Sequence, residues 1–210
     1  MTTMTIQAET MEKTGENAGS AGARRAMIDS QLRTSGVNEE FVLARMIAVP
    51  REDFLPEDKA PLAYIDRSVT FGDGAHLASP LFYGKLLVEA EPAAEDRVLV
   101  IDGGSGYLTE LVRPLVAEVD TVSVADAAEG SALKGKMYSL VLIDGAIEHL
   151  PDNLADTVED GGRLVSGFLL RQVTRLAAGR KIAGTVTLQP VEDLGIPVIH
   201  AFDKPKGWSF

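Results

Sequence analysis

The sequence contains no cysteine, so disulfide bonds, thiolate metal sites and cysteine nucleophiles are all excluded. Only three residues are histidine, which leaves little room for a histidine-rich metal site. Basic residues are also few, since 20 Lys and Arg against 31 Asp and Glu give a net charge of −11. Nucleic acids and anionic membranes attract positive surfaces, so we expect neither as a partner. No apolar run approaches the roughly 18 residues that cross a bilayer.

The first 22 residues are polar, and they lack the apolar segment of a secretory signal peptide. We expect a disordered leader over residues 1–22 and a cytoplasmic protein. A cloning remnant or an incorrectly assigned start codon would leave the same pattern. Residues 23–210 suffice for a single domain. We expect a helical and loop region over residues 23–90 and an α/β sheet over residues 97–210.

The apolar pattern changes near residue 96, from helical spacing to short continuous runs that are typical of strands buried on both faces. The predicted helices are Ala23–Ser35, Glu39–Ala48, Leu81–Ala90, Tyr107–Ala117 and Asn153–Glu159. The predicted strands are Arg97–Ile101, Val119–Ala125, Leu140–Ile143, Arg163–Ser166, Thr185–Pro190 and Val198–Phe202, with Phe168–Gly179 as a strand entering a turn or a helix. Because strands alternate with helices, we expect a mostly parallel sheet.

The segment Asp102–Gly106 carries the most chemical information, because it joins a predicted strand to a predicted helix through three glycines. Such a turn lets backbone N–H groups approach a ligand at the start of the helix. The alternative is that these glycines serve the geometry of the turn alone.

Several stretches around this turn occur together in one known family. They are Met27–Gly36, Met46–Pro56, Ala63–Asp66, Pro80 after a glycine-containing loop, Gly104–Tyr107, Gly161–Val165 and Leu188–Val191. In this order they resemble the protein-L-isoaspartate O-methyltransferases, and the likeness runs from about Ala23 to the end of the chain.

The resemblance implies a Rossmann-like methyltransferase fold that binds S-adenosylmethionine and repairs isoaspartyl residues in protein or peptide substrates. It also implies where the cofactor and the substrate would lie. The implied cofactor-binding positions are Asp102, Gly103, Gly104, Ser105, Gly106, Ser123 and Asp144. His76 and Ser79, on the segment that matches the family's substrate loop, are weak candidates for a catalytic role.

Departures from the family pattern fall at these same positions. Val100 stands where the family has an acidic residue, and Asp102 replaces the first glycine of the turn. A carboxylate there would lie near the cofactor's own carboxylate, and like charges about 4 Å apart repel by roughly 4 kcal/mol. Ser123 stands where an acidic residue bonds the ribose, with Asp126 three residues later. Ala78 replaces the serine of the substrate loop, and Ser79 is better suited to cap the helix that follows.

The connection after the second predicted strand is short. Only 14 residues, 125–138, precede the next strand, whereas the family places two helices, an edge strand and part of the adenine pocket there. We therefore expect this edge strand to be missing, which makes Val119–Ala125 an edge. An exposed edge invites pairing with another chain, so we expect Asp126–Met137 to shield it or a homodimer to form through it.

Asp102 and Asp144 each follow a predicted strand, and neighbouring parallel strands end at the same edge of a sheet. We therefore expect the two carboxylates to interact, with the compensating charge supplied by His76, a bound ion or a raised pKa. A metal site formed by Asp102, Asp144 and His76 is a low-probability alternative. The other alternative is that both aspartates cap the helices that follow.

Three functions are consistent with the sequence. The first is a degenerate methyltransferase-like protein that binds S-adenosylmethionine weakly or not at all and acts through binding or assembly. The second is an active carboxyl methyltransferase that repairs isoaspartyl residues. The third is a module that binds a small ligand or a metal ion.

Overall fold

The computed structural model describes residues 19–204, so most of the predicted leader lies outside the described residues. Residues 19–27 form a helix (α1), which therefore includes residues 19–22 of that leader. Helix α1 continues into a wider π-helical turn at Ile28–Leu32 and then a tighter 3-10 turn at Arg33–Ser35. It ends at Gly36, whose φ of 85° suits glycine. Within residues 19–204, no helix has the length and apolar character needed to cross a membrane.

Five further helices and nine strands follow. The helices are α2 (Glu40–Ala48), α3 (Pro80–Ala90), α4 (Tyr107–Val112), α5 (Val124–Glu129) and α6 (Asp152–Thr157). The strands are β1 (Val69–Phe71), β2 (Ala75–Leu77), β3 (Arg97–Asp102), β4 (Glu118–Ser123), β5 (Tyr138–Ile147), β6 (Val158–Leu170), β7 (Val173–Ile182), β8 (Thr185–Val186) and β9 (Gln189–Asp193). Short 3-10 turns occur at Arg51–Phe54, Ala60–Leu62, Arg113–Leu115, Ser131–Leu133 and His200–Phe202.

The main sheet has the order β4-β3-β5-β6-β7-β8, with β9 also paired to β7. Strands β4, β3, β5 and β6 are parallel, and β6 to β9 add antiparallel pairs. The expected α/β fold with a mostly parallel central sheet is confirmed. Strands β1 and β2 form a separate antiparallel hairpin.

Alternating residues of the central strands supply two cores, one on each face of the sheet. Val98 and Val100 of β3 pack in the core that contains α3, while Leu99 and Ile101 pack in the core that contains Leu154 of α6. Burial on both faces explains why β3 reads as a continuous apolar run in the sequence.

Several predicted boundaries are wrong, each for a local reason. The predicted strand Val119–Ala125 ends at Ser123, because the Ser123 hydroxyl accepts a hydrogen bond from the Asp126 N–H and caps α5. Strand β5 continues past Asp144 to Ile147 through an irregular register. Strand β6 begins at Val158, so the predicted helix Asn153–Glu159 ends earlier, at Thr157, and the predicted strand Arg163–Ser166 is longer at both ends.

Two further predictions of secondary structure, both in the C-terminal third of the chain, also differ from the structure. Phe168–Gly179 contains the β6–β7 hairpin, with Arg171 and Gln172 at positive φ in the turn. Val198–Phe202 is not a strand: it forms a single bridge from Val198 to Ala146 and then a 3-10 turn.

Strand β4 lies at the edge of the sheet, as the short connection predicts. Within the described residues it is paired only with β3. The segment that follows contacts it through side chains, since the Lys136 Nζ lies 3.1 Å from an Asp120 carboxylate oxygen. The family's additional edge strand is therefore absent from residues 19–204.

The ends of β3, β5 and β6 opposite the glycine turn are joined through Asp96, which is 3% exposed. Its carboxylate accepts hydrogen bonds from the Ala93 N–H (2.8 Å), the Ser139 hydroxyl (2.7 Å) and Arg163 Nη2 (2.6 Å). These bonds outweigh the desolvation that burial imposes, and they lower the pKa of Asp96.

We expect Asp96→Ala to lower the free energy of unfolding by about 3 kcal/mol, because it leaves the Arg163 guanidinium half-buried without its partner. Urea unfolding at pH 7 measures this loss. Glu118→Ala, which removes the exposed partner of Arg97, is the control and should cost less than about 1 kcal/mol. Since the Asp96 pKa is depressed, the wild-type advantage should shrink as the pH falls below about 4. Equal losses in the two variants would contradict the assignment.

Candidate functional site

A crevice of about 480 Å³ lies at the carboxyl ends of β3 and β4. Its walls come from the β1–β2 hairpin, the turn after β3, the start of α5 and the segment after β9. This is the edge at which open α/β sheets bind ligands. The volume falls within the range of small-molecule sites, roughly 300–1,000 Å³.

The glycine turn is closed by its own first residue. The Asp102 carboxylate accepts hydrogen bonds from the Gly104 N–H (3.1 Å) and the Gly106 N–H (2.9 Å). The Ser105 hydroxyl accepts one from the Tyr107 N–H at 3.3 Å. Asp102 therefore closes the turn and occupies N–H groups that a ligand's carboxylate could otherwise use. It does not cap α4, whose N-cap is Gly106, so the helix-cap alternative is wrong for this residue.

The β1–β2 hairpin packs directly on this turn. The His76 N–H donates to the Gly103 carbonyl at 3.0 Å, and His76 forms an isolated bridge with Gly104. A Cβ atom on Gly103 would lie 2.4 Å from His76 Nε2, and one on Gly104 would lie 2.6 Å from the Ala75 Cβ. Both glycines are thus needed by contacts within the chain, and the face of the turn beneath the hairpin is covered.

Asp144 lies inside β5 rather than at its end, and its side chain is completely buried. One carboxylate oxygen accepts a hydrogen bond from the Tyr83 hydroxyl at 3.1 Å, while the other has no hydrogen-bond partner. His76 Nε2 lies 2.8 Å from the Asp144 carbonyl oxygen and 3.9 Å from its carboxylate. Asp144 therefore caps no helix, contrary to that alternative.

Burial raises the pKa of Asp144 to about 6; His76 opposes this rise and the charge of Asp102 adds to it. The charge of Asp102 thus contributes to the raised pKa of Asp144. Of the three predicted responses, the raised pKa is observed, and His76 lies 3.9 Å from the carboxylate.

The other candidate residues have structural roles. The Ser79 hydroxyl accepts a hydrogen bond from the Phe82 N–H at 3.3 Å and caps α3, as expected. The Ser123 hydroxyl lines the crevice, but it accepts from the Asp126 N–H and donates to the Asp126 carboxylate. Neither hydroxyl is free for a ligand in this arrangement.

Metal coordination has no ligand set in the part of the chain that the structure describes. No group of three or more His, Asp and Glu side chains there could hold a metal ion. The Asp102 oxygens bond to N–H groups, and His76 Nε2 faces a carbonyl oxygen. The metal alternative for Asp102, Asp144 and His76 is therefore not supported.

Sequence reasoning missed Ile199, which fills the space beside Asp144. A Cβ on Gly145 would lie 2.6 Å from Ile199 Cγ1. The Ile199 N–H donates to the Ala146 carbonyl at 2.8 Å, and the Ala146 N–H donates to the Pro197 carbonyl at 2.7 Å. The Gly145 that follows the apolar run of β5 is the only local signal of this close approach.

We expect Asp144→Asn to stabilise the protein at pH 7.5. Asp144 has a pKa of about 3.8 when unfolded and about 6 when folded, so the native state binds more protons between these values. Ionisation of Asp144 should therefore lower the free energy of unfolding by about 3 kcal/mol as the pH rises from 4 to above 6. Asparagine removes this penalty and still accepts from Tyr83. Urea unfolding should show a gain at pH 7.5 and none at pH 4; no gain at pH 7.5 would mean that the charge is compensated.

Comparisons with known proteins agree on one family. The family model of protein-L-isoaspartate(D-aspartate) O-methyltransferase matches residues 23–130. A protein-L-isoaspartate O-methyltransferase of Methanoculleus marisnigri is 29% identical, over 89% of this chain and 94% of that protein. One from Methanoregula boonei is 31% identical, over 68% of this chain and 76% of that protein.

The fold is also similar to that of a solved structure. A Plasmodium falciparum protein, assigned to the protein-L-isoaspartate O-methyltransferases and crystallised with S-adenosyl-L-homocysteine, superposes with a TM-score of 0.65. It is 15% identical and covers 85% of this chain and 98% of its own. The family model matches residues 23–130, which is more than half of the chain and includes the glycine turn after β3. The chain therefore belongs to the protein-L-isoaspartate(D-aspartate) O-methyltransferase family.

Proposed function

We propose that this chain keeps the methyltransferase fold but binds S-adenosylmethionine weakly or not at all, and that it acts by holding another ligand or partner at its crevice. One observation carries the proposal: the Asp102 carboxylate accepts both the Gly104 and the Gly106 N–H. A ligand carboxylate at these groups would have to displace Asp102, and at about 4 Å it would be repelled by roughly 4 kcal/mol.

The residues present do not fit S-adenosylmethionine. His76 covers the face of the turn at Gly103, and Ile199 fills the space at Gly145. Ser123, the position that bonds the ribose in the family, is engaged with Asp126. The acidic lining at Asp73 and Asp102 and the absence of Lys and Arg from this lining disfavour an anionic ligand. They do not by themselves disfavour S-adenosylmethionine, whose net charge is positive.

A second candidate is an active carboxyl methyltransferase acting on isoaspartyl residues in proteins. Family membership and the crevice of about 480 Å³ beside the glycine turn favour it. In that case the cofactor would have to displace the Asp102 carboxylate or bind elsewhere in the crevice.

Calorimetric titration of the full chain with S-adenosylmethionine and S-adenosylhomocysteine separates the two candidates. We expect a dissociation constant weaker than about 100 μM for the wild type, equivalent to less than about 5.5 kcal/mol of binding free energy. A constant in the low micromolar range, together with methyl transfer to an isoaspartyl peptide, would establish the second candidate and overturn the first.

The Asp102→Gly variant tests whether the Asp102 carboxylate causes the weak binding of S-adenosylmethionine. It restores the family's glycine, removes a repulsion of up to roughly 4 kcal/mol and frees the two N–H groups, so we expect binding to improve measurably. Binding should still stay weaker than the low micromolar range, because the adenine wall supplied by the missing edge segment is absent. Asp73→Asn is the matched control: it removes a negative charge from the same crevice without touching the turn. Strong binding by Asp102→Gly alone would place the defect in the turn rather than in the missing segment.

The open edge of β4 supports a further part of the proposal, a homodimer formed through this strand. Its outer side has no strand partner within the described residues. Light scattering should give twice the 22.4 kDa chain mass at micromolar concentration. Thr121→Pro, which removes an N–H in the middle of β4, should return the protein to a monomer if it folds, and cross-linking of the wild type gives an independent readout.

A further inference from the structure

Arg51 is a fully buried arginine that the glycine turn and the crevice do not involve. Its Nε donates to the Ala63 carbonyl and its Nη2 to the Ala78 carbonyl, both at 2.7 Å. The guanidinium lies over two aromatic rings, 5.5 Å from the centroid of Tyr83 and 5.0 Å from that of Tyr107. Arg51 therefore ties the loop before β1 to the segment between β2 and α3.

In this enclosure Arg51 Nη1 and the Tyr107 hydroxyl lie close to each other, and neither has a hydrogen-bond partner outside this pair. Tyr107 is fully buried, and its ring packs edge-on against Tyr83 at 5.0 Å and Phe54 at 5.2 Å. Across residues 19–204, no carboxylate lies within ion-pair distance of Arg51. The enclosure thus combines a positive charge with an unused phenol and is walled by aromatic rings.

A buried charge without a counter-charge is strongly unfavourable, and hydrogen bonds to two carbonyl groups offset only part of that penalty. Asp144 is the nearest buried acid in the hydrogen-bond network, but it is linked to Arg51 only through Tyr83 and Ala78. Its carboxylate therefore does not contact the guanidinium. Glu52, the next residue in the chain, is engaged with Arg24 and Tyr64. Within residues 19–204 the Arg51 guanidinium therefore has no carboxylate in contact with it.

We propose that Arg51 Nη1 and the Tyr107 hydroxyl bind a small monatomic anion of the size and charge of chloride. Both unpartnered groups can donate hydrogen bonds, and an anion accepts them while supplying the missing negative charge. A water could accept from Arg51 Nη1 and donate to the Tyr107 oxygen, but it would leave the guanidinium charge without a counter-charge. Both side chains are fully buried, which favours an ion of one atom over a carboxylate or a phosphate.

Crystals of the full chain grown or soaked in sodium bromide test the site directly. We expect an anomalous peak between Arg51 Nη1 and the Tyr107 oxygen, at about 3.3 Å from each. This measurement needs no variant, so it does not depend on a substitution being tolerated. A well-ordered water in that position, without anomalous signal, would overturn the proposal.

Thermal unfolding in solution gives the second test, with chloride exchanged for gluconate at constant ionic strength. An anion bound only by the folded state should raise the wild-type Tm by about 3–5 °C for each tenfold increase in chloride above its dissociation constant. Tyr107→Phe removes only the hydroxyl, and we expect it to lose at least half of this dependence.

Tyr138→Phe is the matched control, because it removes a phenol that bonds to Asp120 far from Arg51. It should keep the full chloride dependence. An identical dependence in the wild type and both variants would show that chloride acts elsewhere on the protein, and no dependence in the wild type would exclude the site at these concentrations. Neither test involves S-adenosylmethionine, so both are independent of the proposed function.

Discussion

The contact between His76 and the glycine turn determines the arrangement of the whole candidate site. The imidazole lies where a side chain on Gly103 would have to be, and its Nε2 lies 2.8 Å from the Asp144 carbonyl oxygen. This one ring therefore connects the hairpin, the turn after β3 and the irregular part of β5. Its position fixes which N–H and carbonyl groups at the carboxyl edge of the sheet are left for a ligand.

The polar groups at this edge are largely satisfied from within the chain. Asp102 takes the N–H groups of the turn, Ser123 pairs with Asp126, and Tyr83 donates to Asp144. Binding sites that await a charged ligand usually leave donors or acceptors facing the opening. Here the unsatisfied oxygen of Asp144 is completely buried instead. The electrostatic cost of that carboxylate is an internal property of the fold.

Much of this fold could be predicted from the sequence, because burial on both faces makes β3 and β5 continuous apolar runs. The edge position of β4 could also be predicted, since chain length alone limits what fits between residues 125 and 138. The end of β4 could not be predicted, because the Ser123 cap starts α5 at residues that suit a strand equally well. The burial of Asp144 was missed because the irregular register of β5 carries the strand past an aspartate and a glycine.

No sequence pattern predicts the contacts of Ile199 and His76, because each residue contacts a segment that is far away in the chain. The glycines that make room for these contacts are visible in the sequence. A glycine-rich turn usually indicates a ligand site, whereas these glycines accommodate side chains of the same chain. Gly103 is crowded by His76, Gly104 by Ala75 and Gly145 by Ile199, all from the same chain. A glycine turn that serves a ligand leaves its backbone open to approach, whereas these glycines admit side chains of the protein itself. The same residue type at the same edge of the sheet can therefore build a ligand site or close one, and only the neighbouring segments distinguish the two outcomes.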